Sequence, residues 1–189
     1  PIFSRGALPQ EQGRFRRIDS SFLELLGEIK SNPNVMNLAM VPGLEDTVSM
    51  LLGQLEQCSK ALNNFLETKR SKFPRFYFIG DDDLLEILGQ AQNPAVILTH
   101  LRKLFAGIHA CKFNEAKTKI TTICSSSGEE VPLLEPVVVT EEVESWLQEL
   151  SEAMVSTLSQ LLRDCVNSQQ IHYDKFPAQI LCVAEMVIF

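Results

Sequence analysis

Residues 44–72 read LEDTVSMLLGQLEQCSKALNNFLETKRSK, and this stretch decides the fold class. Leu44, Val48, Leu51, Leu55, Cys58, Leu62 and Phe65 follow one another at alternating intervals of four and three. That spacing keeps every one of them on a single stripe of an α-helix, which turns once in 3.6 residues. Leu52 and Leu66 widen the stripe, which favours a bundle helix over a two-stranded coil. Glu45 and Asp46 open the segment and Lys69, Arg70 and Lys72 close it, the charge order the helix dipole favours. One long helix is predicted over about 44–72.

Towards the N-terminus, Phe15, Ile18, Phe22, Leu25 and Ile29 recur at 3, 4, 3 and 4. They predict a helix over roughly 9–31, with Pro9 in its first turn and Asn32-Pro33 as its stop. Val35–Met40 adds a turn or two before Pro42-Gly43 breaks the chain.

Downstream, residues 73–80 read FPRFYFIG. Pro74 ends the long helix, and Phe73, Phe76, Tyr77 and Phe78 fall within six residues. Each aromatic can bury about 150–250 Å², so at about 25 cal/mol per Å² the four have an upper bound near 20 kcal/mol. A surface linker would not carry this, and we expect a short extended segment threaded through the interior that locks helices together. Arg75 sits inside it.

Asp81, Asp82 and Asp83 follow, then Leu84, Leu85, Ile87 and Leu88 mark a short helix. One aspartate is expected to cap that helix while the others sit in its first turn. A divalent-metal reading also wants carboxylates, yet no D-x-D-x-D-G loop with a distal Glu surrounds them. A partner contact through Arg75 and Asp81–Asp83 is the remaining reading. Asn93-Pro94 then caps and opens a helix to about 106, with Val96, Ile97, Leu101, Leu104 and Phe105 on its apolar face and His100 beside it.

From Gly107 the hydrophobic period falls to about two. Ile108–Phe113 and Ile120–Cys124 read as strands, and Val131–Leu134 with Pro136–Val139 as an edge piece, because Pro132 and Pro136 cannot serve a central ladder. Thr140 is expected to cap the next helix, with Glu141, Glu142 and Glu144 in its first turn. Its stripe is Val143, Leu147, Leu150, Met154, Leu158, Leu161 and Cys165, with Trp146 alongside. A polar loop, Asn167–Lys175, contains His172. Pro177 opens a last helix with Ile180, Leu181, Ala184, Val187 and Ile188 facing inward. The expected architecture is mainly α: an elongated helical bundle with a small antiparallel β-meander between helices. Within a single fragment 1–189, the parts are helical over 1–107, β over 108–139 and helical over 140–189.

The composition agrees. Of 189 residues 45% are hydrophobic and 22% charged, ordinary for a globular chain. A net charge of −7 argues against nucleic acid or an anionic membrane as partner, because phosphate binding is driven by Lys and Arg. No apolar run approaches the length that spans a bilayer. The five cysteines form no C-x-x-C pair and fall in apolar patterns, so reduced buried thiols are expected. None of the nine glycines is followed by Lys, which excludes a P-loop, and G-x-G-x-x-G, H-E-x-x-H and G-x-S-x-G are all absent. His109 and Cys111, two apart on an expected strand, could share a face as a Cys–His nucleophile does, but any packed strand gives that pattern. The chain starts without Met and stops in mid-pattern at Met186–Phe189, so we expect a piece of a longer polypeptide.

The block Lys69–Gln90, built on Phe73-Pro74-Arg75-Phe76-Tyr77-Phe78-Ile79-Gly80-Asp81-Asp82-Asp83, resembles the linker region of dynein heavy chains. The likeness continues through Asn93-Pro94, His100–Ile108, Gly128–Leu133, Val143–Leu147 and Phe176–Glu185. Arg5–Gln12 and Ile79–Asp83 are most similar to the cytoplasmic branch that drives retrograde intraflagellar transport. The resemblance implies a non-catalytic lever that bends and straightens over an AAA+ ring. It implies no cofactor and no catalytic residue in this stretch. It implies the ring and neighbouring linker segments as partners, microtubules and other dynein subunits as partners of the full-length chain, and a cytoplasmic, cytoskeletal and ciliary location. In that reading Phe73, Pro74, Phe76, Tyr77 and Phe78 are the structural lock, and Arg75, Asp81, Asp82 and Asp83 the contact to the ring. A non-mechanical α-helical interaction module is the alternative. It would present an exposed apolar groove.

Overall fold

The computed structural model describes residues 8–31, 33–36, 40–91, 93–168 and 174–188. Expectations resting on Arg5–Ala7, Asn32 and His172 lie outside them. The chain forms two compact units, divided between Thr68 and Lys69.

The first unit holds helix α1 (Pro9–Ser31) and most of helix α2 (Leu44–Lys72). Both follow from the 3–4 periodicity, and Gly43 at φ 73 makes the turn that enters α2. Ile18, Leu51 and Cys58 form its buried cluster. The rest of the two stripes is thinly covered. Phe15, Phe22, Val48, Leu52 and Leu55 are all more than 40% exposed.

The second unit begins with the last turn of α2. A 3-10 helix (Pro74–Phe78), helix α3 (Asp81–Gly89) and helix α4 (Pro94–Leu104) follow. Asn93 caps α4, its side-chain oxygen accepting from Ala95 N at 3.3 Å. Strands β1 (Ala110–Phe113), β2 (Lys119–Cys124) and β3 (Glu130–Val138) make an antiparallel sheet in the order β1-β2-β3. In the first turn the Asn114 side chain accepts from Thr118 N and Lys119 N, and Lys117 takes φ 55. In the second, Gly128 takes φ 89, a conformation that costs any other residue its Cβ clearance.

β3 is one strand with a break in register: Ile120 faces Val137, whereas Thr122 faces Pro132. This irregularity is why the sequence reads as two pieces around Glu135-Pro136. Its edge position, expected from the prolines, is observed. Helix α5 (Val143–Asn167) packs on β3 and on helix α6 (Ala178–Ile188). Cys165, Ile180 and Ala184 are the buried centre of the α5–α6 contact. Buried Thr157 on α5 accepts from Leu134 N at 3.1 Å, so a side chain satisfies a backbone group at the register break.

Several expectations are corrected. Residues 74–78 are a 3-10 helix rather than an extended segment, because Pro74 supplies the N1 conformation and Phe76 N closes a turn on Phe73 O at 3.0 Å. No aspartate caps α3; Gly80 occupies the N-cap and all three aspartates lie in the first turn. Thr140 does not cap α5, which starts after Glu142. Its Oγ1 instead donates to Glu142 O. On α6, Val187 is exposed against the expected inward face, and Cys182 is exposed against the expectation of a buried thiol.

Candidate functional site

The aromatic block organises the start of the second unit. Phe73 and Phe76 are 1% and 0% exposed. Their rings meet edge to face at 5.0 Å, and Phe73 lies 6.3 Å from Phe105. Tyr77 and Phe78, by contrast, are 55% and 69% exposed. A three-residue turn points successive side chains about 120° apart, so the consecutive Phe76, Tyr77 and Phe78 cannot share one interior face. The buried half of the block is thus Phe73 and Phe76, with Ile79 joining them.

Arginines tie this knot to its neighbours. Arg75 Nη1 donates to Leu104 O at 3.0 Å, a terminal carbonyl of α4, and the guanidinium lies 4.7 Å from the Phe105 ring centre. Arg70 reaches Asp81 Oδ1 at 2.6 Å and Ile79 O at 3.4 Å, and stands 6.0 Å from the Tyr77 ring centre. Arg75 thus fastens the aromatic knot to the end of α4.

The aspartates separate by role. Asp81 pairs with Arg70, while Asp83 pairs with Lys103 at 2.6 Å and stands 3.5 Å from His100 Nδ1. The hydrogen bond from Lys103, helped by the Lys103 charge, holds the Asp83 carboxyl below its ordinary value against the opposing effect of desolvation. His100 is buried and also places Nε2 3.2 Å from Glu86, so α3 and α4 share a polar seam beside their apolar one. Asp82 is exposed.

Glu144 is a feature the sequence reading assigned only to a first turn. It is 4% exposed and receives Lys69 Nζ at 2.5 Å and Lys72 Nζ at 3.5 Å. Burial works to raise its pKa, but the hydrogen bond from Lys69, the helix-start backbone and both ammonium charges outweigh it, leaving the carboxyl below its ordinary value. The signal available in sequence was the basic end of α2, which periodicity alone assigns to the dipole. A second missed feature is Glu129, whose Oε1 accepts from Ala178 N at 2.9 Å and so caps α6 from the β2–β3 turn.

His109 and Cys111 do not assemble as a nucleophile. His109 precedes β1 and its Nε2 faces Arg102, while burial, with a lesser push from Cys124, drives the Cys111 thiol up to about 12. An activated thiolate needs the opposite shift. Among the described residues no group of three or more His, Cys, Asp or Glu is placed to hold a metal ion, and no helix is long and apolar enough to cross a membrane.

A chain of helices fastened by aromatic and arginine contacts, with a three-stranded sheet, thus has the geometry of a packed scaffold segment. Residues 1–165 match the family model of the dynein heavy chain, N-terminal region 2, and the chain belongs to that family. Along its whole length it is 53% identical to cytoplasmic dynein 2 heavy chain 1 of Tripneustes gratilla, 49% to that of Homo sapiens and 46% to that of Chlamydomonas reinhardtii. It is 37% identical over 85% of its length to dynein axonemal heavy chain 2 of Mus musculus. The chain spans about 4% of the length of each of these relatives.

Proposed function

We propose that this chain is part of the linker of a dynein heavy chain, a lever that carries the ATP-driven rearrangement of an AAA+ ring into a power stroke. The motor moves towards microtubule minus ends, and its task is retrograde intraflagellar transport in cilia. The segment performs no chemistry; the ATP-hydrolysing modules, the microtubule contact and the other dynein subunits belong to the rest of the polypeptide and its complex. The observation that carries this reading is the knot of Phe73, Phe76 and Phe105 with Arg75 bonded to Leu104 O. It joins the end of a 29-residue helix to the next helices through buried side chains. A lever must transmit force without yielding at such junctions, and buried aromatic contacts resist shear because the interior is close-packed.

The test is made in the full-length heavy chain. Arg75→Ala with Phe76→Leu should slow microtubule gliding while basal ATP turnover stays near the parent rate. Parent gliding speed in a variant whose junction is measurably loosened would reject the lever role. Divalent-ion or nucleotide binding by the chain itself, read by calorimetry, would reject the passive one.

A second reading, a non-mechanical interaction module, draws support from the apolar groove of about 300 Å³ in the first unit, lined by Phe15, Ile18, Phe22, Val48, Leu52 and Leu55 among others. Capture of helical peptides by that groove with motility unaffected by the junction variants would favour it.

A further inference from the structure

Helices α1 and α2 also enclose a second groove, of about 480 Å³, of different chemistry. Arg14, Arg17 and Ser21 line it from α1, and Met50, Leu51, Gln54 and Gln57 from α2. Arg14 and Arg17 are three apart, so both guanidiniums project from one face, one helical turn from each other. Gln54 and Gln57 repeat that one-turn spacing across the groove. Arg14 is half-buried. Among the described residues neither guanidinium has an ion-pair partner, whereas Lys69, Arg70, Lys72, Lys103 and Lys112 each meet a carboxylate. On a chain of net charge −7, uncompensated positive charge therefore collects here.

We infer that this groove is a docking site for an acidic helix of a partner polypeptide. A guanidinium fork matches a carboxylate in two parallel hydrogen bonds, and it gains most where water is partly excluded. Carboxylates at i and i+3 or i+4 along a helix reproduce the one-turn spacing of Arg14 and Arg17. The two glutamine carboxamides and the Ser21 hydroxyl serve the neighbouring polar groups, and Leu51 receives an aliphatic stem. The lining is mixed, not uniformly basic, and the chain as a whole is acidic, which disfavours an extended polyanion such as RNA. This inference goes beyond the lever reading and does not depend on it.

The experiment is fluorescence anisotropy with the chain and a labelled helical peptide carrying glutamates one turn apart, beside its glutamine-for-glutamate twin. Saturable binding of the acidic peptide is expected, weakening as salt rises. Arg14→Gln with Arg17→Gln should weaken it about tenfold or more, the range of two charge-assisted contacts. Arg16→Gln removes one positive charge from an exposed neighbour that does not line the groove and should leave binding within about twofold, whereas Arg14→Gln or Arg17→Gln alone, the matching single charge changes, should each weaken it by more than that. Gln54→Ala with Gln57→Ala should weaken binding from α2, which keeps the test open if the arginine variants fold poorly. Equal affinity for the glutamine twin would overturn the inference. So would an equal loss in Arg16→Gln, or tighter binding of single-stranded RNA or free inorganic phosphate than of the peptide.

Discussion

Phe76 and Phe78 are two residues apart, yet one is wholly buried and the other 69% exposed. Phe76→Ala should therefore cost about 3–5 kcal/mol in urea unfolding, since it opens a cavity beside Phe73, whereas Phe78→Ala should stay within about 0.5 kcal/mol. Equal shifts would mean that the 3-10 turn is not formed. Glu144 gives a pH signature. Its folded carboxyl lies below the ordinary value of 4.5, so its stabilisation is complete above that pH and fades as pH falls through the lower folded value. Glu144→Gln should lower stability by about 1–3 kcal/mol at neutral pH by stripping Lys69 of its buried partner. The two unfolding curves should converge in acid; a gap that persists unchanged at low pH would assign the effect to packing.

At the scale of elements, the helix starts differ in what holds them. α4 is held by Asn93 itself, so Asn93→Ala should cost about 1 kcal/mol. α3 has a glycine N-cap, so its aspartates act through the dipole and through Arg70 and Lys103, all at exposed or half-exposed positions. Asp82→Asn should change stability by no more than about 0.5 kcal/mol, and Asp83→Asn should lower the melting temperature only slightly, because its ion pair with Lys103 is solvent-screened; a large drop in thermal melts would mean that the pair is shielded from water. α6 is held by a residue 49 positions upstream. Glu129→Ala should raise amide exchange across the first turn of α6 while leaving α4 unchanged; uniform exchange in both would deny the cap.

For the molecule as a whole, the two units are unequally buried. The first has a cluster of three buried residues, whereas the second buries Trp146, Phe73, Phe76, Leu84, Ile97, Leu101, Leu147 and Leu150 below 2% exposure. Native-state hydrogen exchange should therefore find α1 opening at lower free energy than α5, since local stability follows buried apolar contact. Identical opening energies would mean one cooperative block.

Periodicity was legible because it is a local property. The stripes of α1, α2 and α5 and the β-pattern after Gly107 follow from 3.6- and 2-residue repeats, and element bounds came out close to those observed. The family was legible from the aromatic–acidic block, since its residues are adjacent in the chain. What only the tertiary structure decided is which member of a pattern is covered and which charge meets which. A stripe states that a residue can face a core, not that a partner stands there, so Phe15 and Phe22 remain exposed on a correctly placed helix. Ion pairs and caps such as Lys69–Glu144 and Glu129–Ala178 join residues 75 and 49 positions apart. Their energy exists only after the chain has brought them within about 3 Å, a condition no local spacing encodes.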